Sequence, residues 1–270
     1  MNNFRIPEII YNKNLILPLS ETWGWGQNLF KINDYKIKYN LSGKGIKVAV
    51  MDTGIFDHKD LIIKKHIDFT KNGKFNVHGT FVAGIICAQK NDFGIIGIAP
   101  AVELYDLRIL DSNGLCNDYK IIDHAFEWCI DNEIDIINCS WGSRQPPQDS
   151  TIKIIESFEG IICAASGNSG LESIDYPAAI EKVIAVGSIG KDGKKADYSN
   201  YGYGLDLELP GSEILSCGEN DNYITASGTS FACPFMVGLT ALFMEKGIKD
   251  IESIISKTKE ITKQQLVVRI

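Results

Sequence analysis

The sequence has no apolar run that approaches the roughly 20 residues required by a membrane-spanning helix. Its first 20 residues also lack a basic segment followed by a sustained apolar core, so they do not match a secretory signal. Positive charge is not in excess, because 27 Lys and Arg stand against 34 Asp and Glu, for a net charge of −7. This balance argues against binding to nucleic acid or to anionic membranes. We therefore expect neither a membrane nor a nucleic acid as a partner.

The cysteines offer no metal-binding pattern. There are seven, an odd number, and none forms a CxxC pair. Most lie in apolar segments, so we interpret them as buried free thiols in a reducing compartment. We expect a cytoplasmic location. Earlier removal of a signal peptide is the alternative that the sequence leaves open.

Alternation of apolar runs with helical stretches predicts the fold. The 270 residues are 44% hydrophobic, enough for one large core without disulfides. Strands alternating with helices predict a single α/β domain, with a mostly parallel central sheet and helices on both faces. We assign residues 1–20 to a short leader, which we expect to be a propeptide, and residues 21–270 to the domain. Predicted strands are 46–51, 103–110, 134–140, 160–165 and 183–188, an extended β excursion covers 206–227, and predicted helices are 81–88, 119–132, 151–158 and 231–246.

Three short polar motifs lie at the ends of predicted elements. They are Asp-Thr-Gly at 52–54, His-Gly-Thr at 78–80 and Gly-Thr-Ser at 228–230. A serine hydroxyl attacks well only when a base removes its proton, and a carboxylate must orient that base. Ser230, His78 and Asp52 can fill these roles. Each alone is more simply a helix N-cap, a structural histidine or a turn former, but their combination favours the chemical interpretation.

Asn168 is a fourth candidate. It lies in a turn, 166–168, that follows a predicted buried strand. An amide N–H group there can stabilise an oxyanion that develops during acyl transfer. The alternative is an asparagine that only forms a left-handed turn between glycines. The remaining histidines are expected to be structural or at the surface: His58, His66 and His124.

These motifs resemble, in the same order, the signature blocks of the subtilisin-like serine proteases. The matching segments are 47–61, 78–86, 136–142, 163–170 and 227–238, and the similarity extends from about residue 25 to residue 244. The resemblance implies serine endopeptidase activity on peptides or proteins, with Asp52, His78 and Ser230 as the triad and Asn168 as the oxyanion donor. It also implies a segment that pairs with the substrate as an added strand and walls the first specificity pocket, formed by Ser140, Trp141 and Gly142.

The chain departs from the family at a few positions. Phe81 and Phe235 replace histidines at packing positions, where we expect little chemical effect. Asp175 lies where the resemblance puts the floor of the first specificity pocket, often a glycine in members of broad preference. A carboxylate there favours Lys or Arg before the scissile bond. The alternative is a solvated aspartate in a surface loop.

The resemblance also implies a structural Ca²⁺ site in the loop that follows the helix of His78. Mixed carboxylate, amide and carbonyl oxygens are the ligands that calcium prefers. The alternative is an ordinary turn without metal, and the nearby lysines speak for it. The implied ligands are the side chains of Glu21, Asp60 and Asn91 and the carbonyl groups of Gln89, Phe93 and Ile95.

Intracellular members of the family have a short leader that blocks the cleft. Residues 15–19, an apolar segment around Pro18, could add a strand to the cleft, and proline would keep the backbone out of the register for cleavage. We therefore expect intramolecular inhibition by residues 1–19.

Two other enzyme classes fit poorly. An aspartic protease needs two Asp-Thr/Ser-Gly loops, and the sequence has one. An α/β-hydrolase needs Gly-x-Ser-x-Gly and a histidine after the serine, whereas Ala232 replaces the last glycine and His78 precedes Ser230. The alternative that stays open is a catalytically silent subtilisin fold that serves as a binding or sensor module.

Overall fold

The structure is a computed structural model that describes residues 4–7, 9–16, 20–71 and 75–263. The helices are α1 (Trp25–Leu29), α2 (Ile32–Tyr39), α3 (His78–Cys87), α4 (Tyr119–Asp131), α5 (Asp149–Ser157), α6 (Thr229–Glu245) and α7 (Ile251–Thr262). The strands are β1 (Phe4–Arg5), β2 (Ile10–Ile16), β3 (Thr22–Trp23), β4 (Lys47–Asp52), β5 (Ile63–Asp68), β6 (Ile95–Ile96), β7 (Glu103–Arg108), β8 (Leu115–Cys116), β9 (Ile136–Cys139), β10 (Ile161–Ala165), β11 (Val183–Ile189), β12 (Leu207–Pro210), β13 (Ile214–Cys217) and β14 (Tyr223–Ser227).

A seven-stranded parallel sheet forms the centre of the molecule. Its strand order is β12-β11-β10-β9-β4-β7-β5. Side chains alternate along each strand between two hydrophobic clusters, so Val48 and Val50 face α3 and α6, whereas Ala49 and Met51 face α4 and α5. Burial on both faces explains why these strands are continuous apolar runs. The predicted α/β fold with helices on both faces is confirmed.

The predicted elements are present, with bounds that shift by at most three residues. Seven elements of the domain were not predicted, α1, α2, α7, β3, β5, β6 and β8, and two of them illustrate the reason. Strand β5 lies at the edge of the sheet and is largely exposed, so its sequence of Ile-Lys-Lys-His-Ile-Asp lacks an apolar run. Helix α7 has a polar face and buries only a few side chains, among them Ile254 and Thr258. Both lack the continuous apolar stretches on which the predicted elements were based.

The topology brings the polar motifs to one edge of the sheet. Strands β4, β9 and β10 are neighbours, and their carboxyl ends lead to Asp52, Ser140 and the turn 166–168. Ligand sites in parallel sheets form at this edge. Helices α3 and α6 begin there too, at His78 and Thr229. The sheet order therefore explains how motifs distant in sequence meet.

The N-terminal residues form strands on the surface of the domain. Strand β1 pairs antiparallel with β8, and Arg5 forms a further antiparallel bridge with Gly142. Strand β2, which ends at Ile16, pairs antiparallel with β14, the strand that leads into α6. Residues 17–19 lie outside the described part of the chain, and the division at residue 20 stays a prediction.

All seven cysteines are buried free thiols, as predicted. Burial raises the pKa of Cys87 to about 12, which keeps its thiol protonated and unreactive. Where the protein resides in the cell stays a prediction. Within the described ranges, no helix combines the length and the apolar character needed to cross a bilayer.

Candidate active site

Asp52 and His78 meet at the carboxyl edge of the sheet. Asp52 ends β4 and His78 begins α3, and the Nδ1 atom of His78 lies 2.8 and 2.9 Å from the two carboxylate oxygens of Asp52. Both side chains are completely buried. The backbone N–H of Thr53 donates a further hydrogen bond of 2.7 Å to Asp52 Oδ1. A carboxylate at Nδ1 holds the imidazole proton on that nitrogen and leaves Nε2 as the basic atom.

Hydrogen bonds tie the loop after Asp52 to the first turn of α3. The hydroxyl of Thr53 accepts from the N–H of Gly79 at 3.1 Å. The hydroxyl of Thr80 accepts from the N–H of Phe56 at 2.8 Å. Position 79 must be glycine, because a Cβ atom there would lie 2.4 Å from the carbonyl oxygen of Gly54. These contacts fix the distance between the carboxylate and the imidazole.

Ser230 is the second residue of α6 and is completely buried. Its hydroxyl donates to the carbonyl oxygen of Ser140 at 3.1 Å, and the hydroxyl of Ser140 donates to the carbonyl oxygen of Ser230 at 2.8 Å. The ring of Phe231, the next residue, lies 5.6 Å from the ring of His78. The Nε2 atom of His78 has no hydrogen-bond partner among the described residues. Deprotonation of Ser230 by His78 therefore requires this hydroxyl to leave Ser140.

Asn168 is oriented by Thr229. Its amide oxygen accepts from the N–H of Thr229 at 2.8 Å and from the hydroxyl of the same residue at 2.7 Å. The amide nitrogen consequently faces the other way, toward Gly228, where an added Cβ atom would lie 3.0 Å from it. Hydrogen-bond donors of Asn168 and of the first turn of α6 thus border the same space. The sequence motif gave no separate role to Thr229, whose hydroxyl sets this orientation.

The segment from Ser140 to Gly142 lies beside the start of α6. Trp141 is completely buried, and its indole N–H donates to the carbonyl oxygen of Met51 at 2.7 Å. This contact anchors the segment and leaves the backbone of Gly142 on the cleft side. The N–H and the carbonyl group of Gly142 both form hydrogen bonds with another chain segment. The segment thus behaves as the edge of a sheet.

Asp175 lies against two backbone walls. An added Cβ atom on Gly167 would lie 2.5 Å from Asp175 Oδ2, and one on Gly142 would lie 3.2 Å from Asp175 Cβ. Burial raises the pKa of Asp175, while the positive charges of Arg144 and Arg5 act in the opposite direction. The carboxyl group is therefore half-buried at the junction of these walls rather than in a fully solvated loop.

Described residues near the N-terminus lie beside the candidate active site. Arg5 exchanges two backbone hydrogen bonds with Gly142, of 3.0 and 2.9 Å, and the N–H of Ile6 donates to the carbonyl oxygen of Gly114 at 2.9 Å. Phe4 is buried, with ring centroids 5.0 Å from Trp141 and 5.4 Å from Tyr119. Farther along, Ile9 lies beside Gly228, and Ile10 pairs with Ser227.

The sequence pattern favoured residues 15–19 for pairing with the 140–142 segment, whereas the residue that forms this pairing in the described part of the chain is Arg5. Residues 4–7, Phe-Arg-Ile-Pro, also combine apolar residues with a proline, and this pattern could have identified them. Their fit was not visible in the sequence, because the aromatic surface of Trp141 and Tyr119 that receives Phe4 is assembled only by the fold.

Three side chains expected to bind calcium, those of Glu21, Asp60 and Asn91, lie at the loop that follows α3. Asp60 is completely buried, and its carboxylate accepts hydrogen bonds from Tyr223, from the Asn91 amide and from the N–H of Ile95, of 2.7, 2.8 and 3.1 Å. Glu21 accepts from the N–H of Asn91 at 2.7 Å. The donors that contact Asp60 are neutral, so its charge has no cationic partner within the described ranges.

This donor set fits calcium in its chemistry, because it consists of oxygen atoms around a buried carboxylate. Asn91 would have to present its amide oxygen, whereas in the structure its nitrogen donates to Asp60. The remaining expected ligands, the carbonyl groups of Gln89, Phe93 and Ile95, belong to the same loop. No cluster of three or more His, Cys, Asp or Glu side chains suited to a metal occurs in the part of the chain that the structure describes.

Known proteins are similar to this chain over most of its length. The model of the subtilase family matches residues 43–267. The M-protease of Shouchella clausii (strain KSM-K16) is 38% identical over 214 residues, which are 76% of this chain and 56% of that protein. Subtilisin Savinase of Lederbergia lenta has the same identity over 214 residues, covering 78% of its own length. The Thermostable alkaline protease of Halalkalibacterium halodurans is 33% identical over 236 residues, or 85% of this chain and 65% of the relative. The match thus spans little more than half of the M-protease.

Proposed function

This chain belongs to the subtilase family, the subtilisin-like serine endopeptidases, and we propose that it hydrolyses peptide bonds with Asp52, His78 and Ser230 as its triad. The observation that supports this most is the buried contact of 2.8 and 2.9 Å between His78 Nδ1 and the Asp52 carboxylate, next to the start of the helix that contains Ser230. A base held in this way needs only a nucleophile at its other nitrogen.

The proposed reaction proceeds through an acyl-enzyme. The Ser230 hydroxyl attacks the substrate carbonyl carbon while His78 Nε2 takes its proton, and Asp52 stabilises the resulting imidazolium. The oxyanion accepts hydrogen bonds from the Asn168 amide and from backbone N–H groups at the start of α6. His78 then gives its proton to the leaving amine. A water molecule, activated by His78, hydrolyses the ester and releases Ser230.

We further infer that residues 4–7 and 9 keep the cleft closed. Support comes from the antiparallel hydrogen bonds of Arg5 with Gly142, which use the backbone groups that an extended substrate would use. The complete burial of Ser230 and His78 agrees with a covered site. Pro7 has no N–H group, so the leader lacks one donor that a cleavable peptide would offer at that position.

We propose that Asp175 selects a basic residue before the scissile bond. Its carboxylate lies against Gly142 and Gly167, where the side chain of a bound residue next to Ser140 would end. The positive charge of Arg144 already acts on it, and a substrate Lys or Arg would add a partly desolvated ion pair.

We also propose that the loop after α3 binds calcium. The residues that would hold it are Asp60, Asn91 and Glu21, together with backbone carbonyl groups of the loop. Bound calcium would supply positive charge beside the buried Asp60 carboxylate and would hold the loop against β14 through Tyr223. It has no role in the chemistry at Ser230.

Substitution of Ser230 tests the reaction. Ser230→Ala is expected to abolish peptide hydrolysis with an unchanged circular dichroism spectrum. Asn168→Ala is expected to lower kcat by about 10²–10³-fold, a magnitude known from subtilisin, to which this chain is related. Ser157→Ala, at an exposed serine, is the control. A fluorophosphonate should label Ser230 alone. Absence of labelling and of hydrolysis in the wild type would instead favour the silent binding module.

Weakening the leader should raise the initial activity. Arg5→Pro removes the N–H that donates to Gly142, and Phe4→Ala empties the aromatic contact with Trp141. Each is expected to raise the initial rate of peptide hydrolysis about tenfold, which corresponds to roughly 1.4 kcal/mol of lost leader binding. Tyr203→Ala, at an exposed aromatic residue, is the control. Alkylation of Cys116, which lies opposite Phe4, should accelerate in parallel. Initial rates equal to those of the wild type would reject inhibition by this segment.

Replacement of Asp175 should change the cleavage profile. Asp175→Asn is expected to lower the preference for Lys or Arg over Leu before the cut bond by about 10–100-fold, because a hydrogen bond to a charged group contributes about 1.5–3 kcal/mol. In the wild type, this preference should decline as the pH falls through the raised pKa of Asp175, since the carboxylate must be ionised. A peptide library read out by mass spectrometry measures both. Glu172→Gln is the control, and an unchanged profile for Asp175→Asn removes Asp175 from the pocket.

Calcium binding should raise the free energy of unfolding of the protein. At a free concentration of 100 times the dissociation constant, the expected gain is about 2.7 kcal/mol, seen as a higher Tm in calorimetry. Asp60→Asn should lose this gain, while Asp57→Asn, at an exposed aspartate, should keep it. Equal Tm values with calcium and with EDTA in the wild type would leave the loop as a metal-free turn.

A further inference from the structure

A second imidazole–carboxylate pair lies beneath the loop that begins at Asp52. His66 on β5 and Asp106 on β7 are partners in the strand register, and His66 Nδ1 lies 2.8 Å from Asp106 Oδ2. The Asp106 side chain is only 2% exposed, whereas that of His66 is 46% exposed. The reaction described above does not use this pair. A buried carboxylate at the end of an apolar sheet is costly, and its retention requires an explanation.

Asp106 is connected to the catalytic loop by a direct hydrogen bond. The same oxygen, Oδ2, accepts from the N–H of Ile55 at 3.0 Å. Ile55 follows Asp52 by three residues and precedes Phe56, whose N–H is bound by Thr80 in the first turn of α3. The loop of residues 52–56 is therefore held from α3 on one side and from β7 on the other. A loop with both anchors keeps the Asp52 carboxylate at its distance from His78.

The charges around this pair decide how firmly Asp106 holds the loop. His66 faces Asp106 at Nδ1 and the exposed Asp57 at Nε2, 3.8 Å away. Asp106 faces His66 from β5 and Asp52 from β4, whose negative charge disfavours a second carboxylate. Farther along the same two strands, the buried Arg108 pairs with Asp68 at 3.3 Å. A protonated His66 is thus the cation in direct contact with Asp106 among the described residues.

The hydrogen bond with Asp106 raises the pKa of His66 above its ordinary value of 6.5. Burial raises the pKa of Asp106, and the bond from His66 is the largest effect that opposes this. For a histidine with a raised pKa in the folded state, the stabilisation is fully present below the unfolded pKa and is lost as the pH rises through the folded value. The stabilisation by the charged pair is therefore lost as the pH rises through the raised pKa of His66.

We propose, on the basis of the reaction proposed above, that His66 and Asp106 are positioning residues, which anchor the 52–56 loop and couple the placement of Asp52 to the protonation of His66. Neither side chain touches the substrate or the reacting atoms. Their effect is on the geometry of the Asp52–His78 contact. Because misplacement by about 1 Å can cost 10²-fold in rate, even a partly loosened loop has a measurable effect.

Three substitutions separate positioning from simple stability. Asp106→Ala removes both the charge and the acceptor for Ile55, and it is expected to lower kcat about tenfold with KM changed less than twofold. Asp106→Asn keeps an acceptor oxygen and should recover part of this loss. His66→Gln keeps an N–H donor but cannot titrate. Glu103→Gln is the matched control, because Glu103 pairs with Lys64 across the same two strands at 3.8 Å, far from Asp52.

The pH profile gives a readout that a purely structural role does not move. As the pH rises through the raised pKa of His66, the kcat of the wild-type protein, normalised to serines that react with fluorophosphonate, should decline. In His66→Gln this decline should be absent, with kcat constant at the lower, alkaline value of the wild type. Glu103→Gln should reproduce the wild-type profile.

A second measurement does not depend on turnover. In the full chain with Ser230→Ala, the proton on His78 Nδ1 is expected as a low-field signal in the NMR spectrum. This signal should broaden or shift when Asp106→Ala or His66→Gln is added. A kcat for Asp106→Ala within twofold of the wild type, or an alkaline decline that persists in His66→Gln, overturns the proposal. If Asp106→Ala does not fold, the other two variants decide.

Discussion

The contact between Asp52 and His78 is the constraint on which the rest of the site depends. Both side chains are completely buried, so the Asp52 carboxylate and the Nδ1 atom of His78 need partners within the protein. The carboxylate has the imidazole on one side and the N–H of Thr53 on the other. This arrangement is possible only because β4 ends where α3 begins, with Gly79 close against the backbone of Gly54. The fold supplies the contact, and the contact in turn requires small residues and threonine hydroxyls around it.

The N-terminal residues and the cleft are complementary because the backbone of each forms hydrogen bonds with the other. Gly142 and Gly114 present backbone groups to the cleft, and in the full chain Arg5 and Ile6 occupy them. An open edge attracts any extended segment, so a segment of the same chain, at high effective concentration, has an advantage over a peptide from solution. A strand edge that can pair with an extended substrate can therefore also pair with residues of the same chain.

Much of this could be predicted from the sequence, and the misses have physical reasons. Continuous apolar strands and the polar residues at their ends identified the sheet and four candidate catalytic residues, because burial on both faces leaves a strong signal. Strand β5 left no such signal, since an exposed edge strand tolerates lysine and histidine. His66 was therefore classed as structural or at the surface, and Asp106 was read as part of an apolar run. Their pairing depends on the register of β5 with β7, which only the three-dimensional structure provides.

Three carboxylates at this end of the molecule are fully or nearly fully buried. The partners that offset the cost of burying the charge differ from one to the next. Asp52 has His78, and Asp106 has His66, so each faces a group that can become a cation. Asp60 is just as buried, yet its contacts come from a tyrosine hydroxyl, an amide and a backbone N–H. Neutral donors reduce the cost of a buried charge without balancing it. Asp60 therefore differs from Asp52 and Asp106, because none of its partners among the described residues can become a cation.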